Sequence, residues 1–293
     1  MISEETLKKI RKIEIISRKA ARDIFAGQYH SAFKGRGMEF SEVREYQSGD
    51  DVRFIDWNVS SRLGRLFIKQ FVEERELTII LAIDLSASLQ FISGGKSKKD
   101  IAVELSALIA FTAMLNNDKV GLLIFTDRIE IFVPPKKGRT HLLRLIRDIS
   151  EFQPQGRRTT IGAALAYLTS LLKKKAVIFL ISDFLDEHFD GALKIAGRKH
   201  DLIAVVINDR RELNAPQRGI FQFKDLESGV IFTADFNRGS VRSAYQDIRQ
   251  TRSAQLSELF RKYSIDSITI NAESEYEKPL FDLFLKRKHK FSR

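Results

Sequence analysis

The chain of 293 residues contains no cysteine. This absence excludes disulfide bonds, cysteine-ligated zinc sites and thiol nucleophiles, and it is typical of proteins in a reducing compartment. No apolar run approaches the roughly 18 residues that a membrane-spanning helix needs. The first nine residues carry charge where a secretory signal needs an apolar segment. We therefore expect a soluble, cytoplasmic protein without a membrane span.

Acidic residues are outnumbered, with 38 Asp and Glu against 49 Lys and Arg, and the net charge is +11. Such an excess can indicate a nucleic-acid or anionic-membrane partner. The basic residues are dispersed, however, and none of their runs interleaves aromatic side chains as a base-stacking surface would. We interpret them as solvated helix ends and loops, with no dedicated nucleic-acid site, and keep a basic nucleic-acid binder as an alternative. The longest runs are Lys96-Ser97-Lys98-Lys99, Lys173-Lys174-Lys175 and residues 286–290.

Strand and helix patterns alternate from residue 77 onward. Apolar runs rich in Ile, Leu and Val predict buried strands, and the segments between them have helical spacing. This alternation predicts an α/β fold with a doubly wound, mostly parallel sheet and right-handed crossovers. The predicted strands lie at 77–84, 119–126, 176–182, 202–207 and 265–270.

Three parts of the chain are predicted. Residues 1–76 combine a helix over 3–25 with a small β-rich subdomain punctuated by glycines. Residues 77–272 form the α/β domain, with a hairpin insertion near 209–236. Residues 273–293 form a C-terminal helix and a basic tail.

The segment 77–88 is the most informative stretch for function. Its apolar run ends in Asp84, and two hydroxyls follow at alternate positions, Ser86 and Ser88. In open α/β sheets, ligands bind in the crevice beyond the carboxyl ends of the strands. A carboxylate with two hydroxyls is an all-oxygen set that suits a hard cation such as Mg²⁺.

A second strand, 176–182, also ends in an aspartate, Asp183. Parallel strands end at the same edge, so the two carboxylates approach each other if their strands are neighbours. The loop 155–160 precedes a helix and can bring a threonine hydroxyl to that edge. Each residue alone is more often a turn or N-cap residue. Their joint occurrence at strand ends favours a cation site.

The pattern Asp84-x-Ser86-x-Ser88, a later threonine, and Asp183 in Ile-Ser-Asp-Phe resemble the metal-ion-dependent adhesion site of von Willebrand factor A-type domains. The resemblance spans roughly residues 77–271 and includes the element order. It implies that the first three residues and the threonine hold Mg²⁺, or another divalent cation such as Ca²⁺ or Mn²⁺. It also implies that Asp183 usually acts through water.

The threonine implied by the resemblance is Thr159. The sequence Thr159-Thr160-Ile161-Gly162 fits the Thr-x-hydrophobic-Gly opening of a helix in that family. Thr160 remains the alternative, because Arg158 stands where the pattern normally has glycine.

Residues 30–40 and 43–57 resemble the signature of a bacterial family catalogued as domain of unknown function fifty-eight, which carries an A-type domain behind this segment. The resemblance implies a partnership with MoxR-type AAA+ ATPases and a role in chaperoning or maturing other proteins.

We therefore expect a non-enzymatic, cation-dependent protein-interaction module, an adaptor or co-chaperone whose metal accepts a partner's Glu or Asp. The alternative is a metal-dependent phosphohydrolase that uses the same strand-end aspartates. That chemistry usually needs a second carboxylate two residues after Asp84, where this chain has serine, and no Gly-x-Ser-x-Gly elbow is present. The histidines form no metal-binding spacing and are expected to be structural or exposed: His30, His141, His188, His200 and His289.

Overall fold

A computed structural model divides the chain into two compact units, residues 33–76 and the remainder, Met1–Ala32 with Leu77–Arg293. The first helix, which the sequence analysis grouped with residues 1–76, belongs to the larger unit. The structure describes residues 4–22, 29, 32–33, 39–72, 76–91, 96–214, 216–271 and 276–291. Three features discussed above, the expected start of the first helix at Ser3, His30 and residues 34–38 of the signature, lie outside the described residues.

The smaller unit contains an antiparallel pair of strands, β1 (Glu39–Glu45) and β2 (Phe67–Val72). Between them lie a 3-10 turn, Val52–Phe54, and a short helix, α2 (Trp57–Leu63). Helix α2 begins where the carboxylate of Asp56 accepts hydrogen bonds from the first backbone N–H groups, and it ends at a left-handed glycine. The charged residues here pair locally, as in the 2.6 Å contact between Arg44 and Asp50.

The larger unit is built on a six-stranded sheet. The strand order is β10-β7-β6-β3-β4-β5, and every neighbouring pair is parallel except β4 and β5. This confirms the doubly wound, mostly parallel sheet. The elements are α1 (Glu4–Ala20), β3 (Thr78–Asp84), α3 (Lys98–Leu115), β4 (Lys119–Phe125), β5 (Ile129–Lys136), α4 (Arg139–Glu151), α5 (Ile161–Leu171), β6 (Val177–Ser182), α6 (Asp190–Lys199), β7 (Asp201–Asn208), α7 (Arg210–Leu213), β8 (Ile220–Lys224), β9 (Ile231–Asp235), α8 (Gly239–Lys262), β10 (Asp266–Asn271) and α9 (Glu277–Phe291).

The winding of the sheet reverses between β3 and β6. From β3 the chain moves to β4 and β5 on one side, and it then crosses to β6, β7 and β10 on the other. Strands β3 and β6 are buried along their length because their residues are almost all aliphatic. Their carboxyl ends therefore open together at the switch point, where ligands bind in folds of this kind.

Helix α3 lies over the sheet and is apolar nearly all round. Helices α1 and α4 pack against it, so most of its residues are buried. It begins with a capping box, in which Ser97 and Asp100 satisfy each other's backbone N–H groups. No helix in the described ranges combines the length and the apolar character that crossing a bilayer requires.

Two of the histidines, His200 and His188, differ in how far their side chains are buried. His200 is 1% exposed, and its Nδ1 accepts a 3.4 Å hydrogen bond from the backbone N–H of Ala176. Burial, together with the charges of Lys199 and Lys175, lowers the pKa of His200. His188 is fully exposed in comparison, with 93% of its side chain accessible.

This difference predicts a pH effect on stability. The unfolded chain takes up a proton at His200 below about pH 6.5, whereas the folded chain resists it, so stability falls as the pH drops through that range. The slope is at most about 1.4 kcal/mol per pH unit, the limit for one proton. We expect His200→Asn to flatten the dependence of the unfolding free energy between pH 7.5 and 5, and the exposed control His188→Asn to leave it unchanged. Denaturant titrations at each pH measure both, and equal slopes in the two variants would contradict the assignment.

Candidate functional site

Asp84 ends strand β3 and is completely buried. One carboxylate oxygen accepts a 2.9 Å hydrogen bond from the backbone N–H of Ser86, and the other accepts a 2.7 Å bond from the hydroxyl of Ser182. Burial and the nearby charge of Asp183 raise the pKa of Asp84 to about 7, against the effect of these hydrogen bonds. A cation beside this carboxylate would relieve that penalty.

Ser86 and Ser88 lie at the start of a 3-10 turn that follows the strand. Both side chains are buried, and their hydroxyl oxygens are 3.0 Å apart. The backbone N–H of Ala87, between them, donates a 2.9 Å hydrogen bond to the carbonyl of Arg157. This bond ties the serine loop to the loop that carries Thr159.

The Thr159 loop is held by the β4–β5 hairpin. The carboxylate of Glu130 accepts hydrogen bonds from the backbone N–H groups of Gln155 and Gly156, at 3.1 and 2.8 Å. The hydroxyl of Thr159 thereby lies 3.3 Å from the carboxylate of Asp84. The structure thus brings Thr159 to Asp84, and the neighbouring Arg158 is exposed.

Asp183 follows strand β6 and is 6% exposed. Its carboxylate accepts a 3.0 Å hydrogen bond from the ammonium of Lys98. The next residue, Phe184, is in the left-handed region at φ +53°, a strained conformation for a bulky side chain. Arg252 of helix α8 donates a 2.8 Å hydrogen bond to the Phe184 carbonyl and holds this turn.

Lys98 corrects the prediction that its basic run is solvated. It is fully buried and bridges Asp183 to Glu212, which lies 2.6 Å from its ammonium. Burial works against its charge, but the two carboxylates outweigh it and raise the pKa of Lys98. The signal in the sequence is helical phase, since Lys98 precedes the buried Ile101 and Leu105 by three and seven residues.

Glu227 is a site residue that sequence reasoning missed. It lies in the turn between β8 and β9, and its carboxylate accepts hydrogen bonds from the hydroxyl and the backbone N–H of Thr159, at 2.8 and 3.2 Å. Burial and the charge of Asp183 raise the pKa of Glu227, despite the Thr159 bonds that lower it.

These residues fit a hard divalent cation. Ligands about 2.1 Å from an octahedral Mg²⁺ are about 3.0 Å apart at adjacent corners. The Ser86–Ser88 and Thr159–Asp84 oxygen pairs, at 3.0 and 3.3 Å, match such edges. In the part of the chain that the structure describes, no three His, Cys, Asp or Glu side chains form a metal-binding group. A cation here would therefore depend on the hydroxyls.

Gly156 offers a test of the loop geometry. A Cβ at this position would lie 2.0 Å from the carboxylate of Asp127 and 2.1 Å from the hydroxyl of Thr126. We expect Gly156→Ala to cost about 1–3 kcal/mol and to displace Thr159, because Thr126 directly follows the buried strand β4 and cannot move away without disturbing it. Chemical unfolding measures the loss of stability.

Gly162 supplies the control. A Cβ there meets nothing closer than 3.9 Å, and alanine favours the helix by up to about 1 kcal/mol. Gly162→Ala should therefore be at least as stable as the wild type. A Gly156→Ala variant with wild-type stability would show that the loop is not held as described.

The fold is a doubly wound α/β domain with a cluster of oxygen-bearing side chains at its switch point. Residues 42–255 match the sequence profile described as "Protein of unknown function DUF58", and the chain belongs to this family. An uncharacterised Mycobacterium tuberculosis protein, Rv1480, is 31% identical over 225 residues, which cover 76% of this chain and 71% of that protein. Bacillus subtilis YeaD is 27% identical over 123 residues, which cover 42% of this chain and 27% of YeaD.

A solved structure has a similar fold. An aerotolerance-related membrane protein from Bacteroides fragilis, with mutations to serine, is 16% identical and aligns with a TM-score of 0.51. The alignment covers 73% of this chain and 99% of that one. The VWA domain of SpRpn10 is 12% identical over 72% of this chain and 94% of its own, with a TM-score of 0.36.

Proposed function

We propose that this chain is a non-enzymatic protein-interaction module that depends on a divalent cation, with Mg²⁺ the best fit to the donor set. Asp84, Ser86, Ser88 and Thr159 would hold the ion directly, and Asp183 would act through water. The observation that carries the proposal is the convergence of these oxygens at the switch point, with adjacent pairs 3.0 and 3.3 Å apart.

The donor set favours binding of an acidic partner. Three of the four direct ligands are neutral hydroxyls, so the ion keeps most of its positive charge and can accept an outside carboxylate. The charge of Asp183 is meanwhile shared with Lys98. A Glu or Asp of a partner protein would complete the coordination shell.

The arrangement of side chains at the site is less suited to hydrolysis than to binding. The Ser86 and Ser88 hydroxyls hydrogen bond to each other, and His200 lies at the amino end of β6, beside Ala176. A hydrolytic reaction needs a positioned base for its nucleophile. We expect no Mg²⁺-dependent turnover of phosphoester substrates, and turnover that Asp84→Asn abolishes would favour the enzymatic alternative.

The proposed partner is an AAA+ ATPase of the MoxR type, for which the chain would serve as an adaptor or co-chaperone. The support is family membership together with the signature resemblance in residues 30–57.

Affinity purification from the native host, with and without Mg²⁺, tests the proposed partnership. The ATPase should be captured by the wild type in Mg²⁺, and should be lost in EDTA or with Asp84→Ala. Asp247→Ala, an exposed acidic residue on α8, is the control. Equal capture under all conditions would refute the cation dependence.

A further inference from the structure

The turn of the β8–β9 hairpin reaches the proposed cation site. Glu227 at this turn accepts hydrogen bonds from the hydroxyl and the backbone N–H of Thr159, one of the four proposed direct ligands. A threonine hydroxyl has one proton to donate, and Glu227 at 2.8 Å is a better acceptor than Asp84 at 3.3 Å. The carboxylate of Glu227 therefore lies directly against one of the hydroxyls that would surround the ion.

The turn holds Glu227 in a defined position. The carboxylate of Asp225 accepts hydrogen bonds from the backbone N–H of Glu227 and of Ser228, at 3.0 and 2.6 Å. Gly229 then reverses the chain at φ +75°, where a side chain would be strained. The contact with Thr159 is thus made by an ordered turn.

The base of the hairpin is anchored, while its strands are open. Phe236 is 1% exposed and packs edge-on against Tyr245 of helix α8, with ring centroids 5.8 Å apart. In contrast, Ile220, Ile231 and Phe232 are 54–69% exposed. A hairpin fixed at one end and exposed along its strands can lift its turn without disturbing the sheet.

We propose that Glu227 is a built-in acidic ligand of the cation site, which a partner's Glu or Asp replaces when the hairpin turn lifts away. This assignment rests on the proposed function, because it requires a cation at the site. It identifies the partner group as an acidic side chain presented on a turn, since the chain's own turn presents Glu227 in that way. It also makes the hairpin a competitor of the partner.

Mn²⁺ binding to the whole chain tests this assignment. We expect the wild type to hold Mn²⁺ with Glu227 in its shell, and Glu227→Gln to bind about tenfold or more weakly, as losses of supporting ligands do. Water should take the vacated position, so water-proton relaxation by bound Mn²⁺ should rise in Glu227→Gln. Adding acetate should reverse that rise, because a free carboxylate can occupy the same position. Glu187→Gln, an exposed residue beyond β6, is the charge-matched control and should behave as the wild type.

The outcomes separate this assignment from the proposed function. If the wild type and Glu227→Gln had equal Mn²⁺ affinity and equal water-proton relaxation, Glu227 would not be a ligand of the ion. The cation site itself would still be supported by the observed binding. A lack of Mn²⁺ binding in both would overturn the site and the assignment together. Thermal unfolding of Glu227→Gln checks that the variant is folded. Glu227→Asp, which keeps the charge but shortens the reach, should fall between the two.

Discussion

Replacing Lys98 with methionine should lower the free energy of unfolding by about 3–5 kcal/mol, the cost of leaving a buried charge without its partner. Methionine keeps most of the unbranched apolar stem of lysine and lacks its charged ammonium group, which donates to Asp183 and Glu212. The carboxylates of Asp183 and Glu212 would then face each other in a region that excludes water, since the lysine between them is fully buried. Urea unfolding measures the loss.

Lys96→Met is the control for this variant. Lys96 also pairs with a glutamate, Glu104, but half of its side chain is exposed, so its loss should cost no more than about 1 kcal/mol. Saturating Mg²⁺ should raise the melting temperature of Lys98→Met more than that of the wild type, because the ion supplies the positive charge that Asp183 has lost. If the Lys98→Met protein were as stable as the Lys96→Met protein, the buried ion pairs of Lys98 with Asp183 and Glu212 would not stabilise the fold as described.

Asp84→Asn should abolish Mg²⁺ binding while leaving the protein as stable as before or more stable. The ion would lose the carboxylate of Asp84 as a direct ligand, which should weaken binding by about two orders of magnitude or more, since even supporting residues contribute 10–100-fold. The fold, in contrast, loses a buried carboxylate that lies next to Asp183. Burial and the charge of Asp183 raise the pKa of Asp84 to about 7. The amide can keep the Ser86 bond through its oxygen and donate to the hydroxyl of Ser182.

Calorimetric titration with Mg²⁺ and unfolding in EDTA measure the two halves of this prediction separately. A large loss of stability in EDTA would mean that Asp84 is a structural residue. Unchanged Mg²⁺ affinity would place any bound ion elsewhere. Lost binding with retained stability is the result expected when the replaced residue binds a ligand and lowers the stability of the fold.

The strand-end part of the site could be predicted from local pattern. Asp84 and Asp183 each follow an aliphatic run, and the parallel sheet then brings both to one edge because β3 and β6 are neighbours. The position of Thr159 could not be predicted from a strand pattern alone, because loop 155–160 is held by Glu130 on the adjacent hairpin. Its loop before a helix and the Thr-x-hydrophobic-Gly resemblance indicated that it reaches the edge, with Thr160 left as the alternative.

The remaining charges could not be predicted in the same way. Lys98 belongs to a polar run whose composition indicates solvent, and its burial follows from which face of α3 meets the sheet. Glu212 and Glu227 come from the region near 209–236, which interrupts the strand–helix alternation. Their approach to the site depends on how the hairpin packs on α8, through aromatic contacts such as Phe236 with Tyr245. Such long-range packing leaves no periodic signal in the sequence.

The most direct test of the cation site is anomalous diffraction from crystals of the full chain grown with Mn²⁺. The account predicts an anomalous peak about 2.1–2.4 Å from the carboxylate of Asp84 and the hydroxyls of Ser86 and Ser88. The hydroxyl of Thr159 should lie in the same shell. The absence of any peak at this edge in saturating Mn²⁺, or a peak that Asp84→Asn leaves in place, would contradict it.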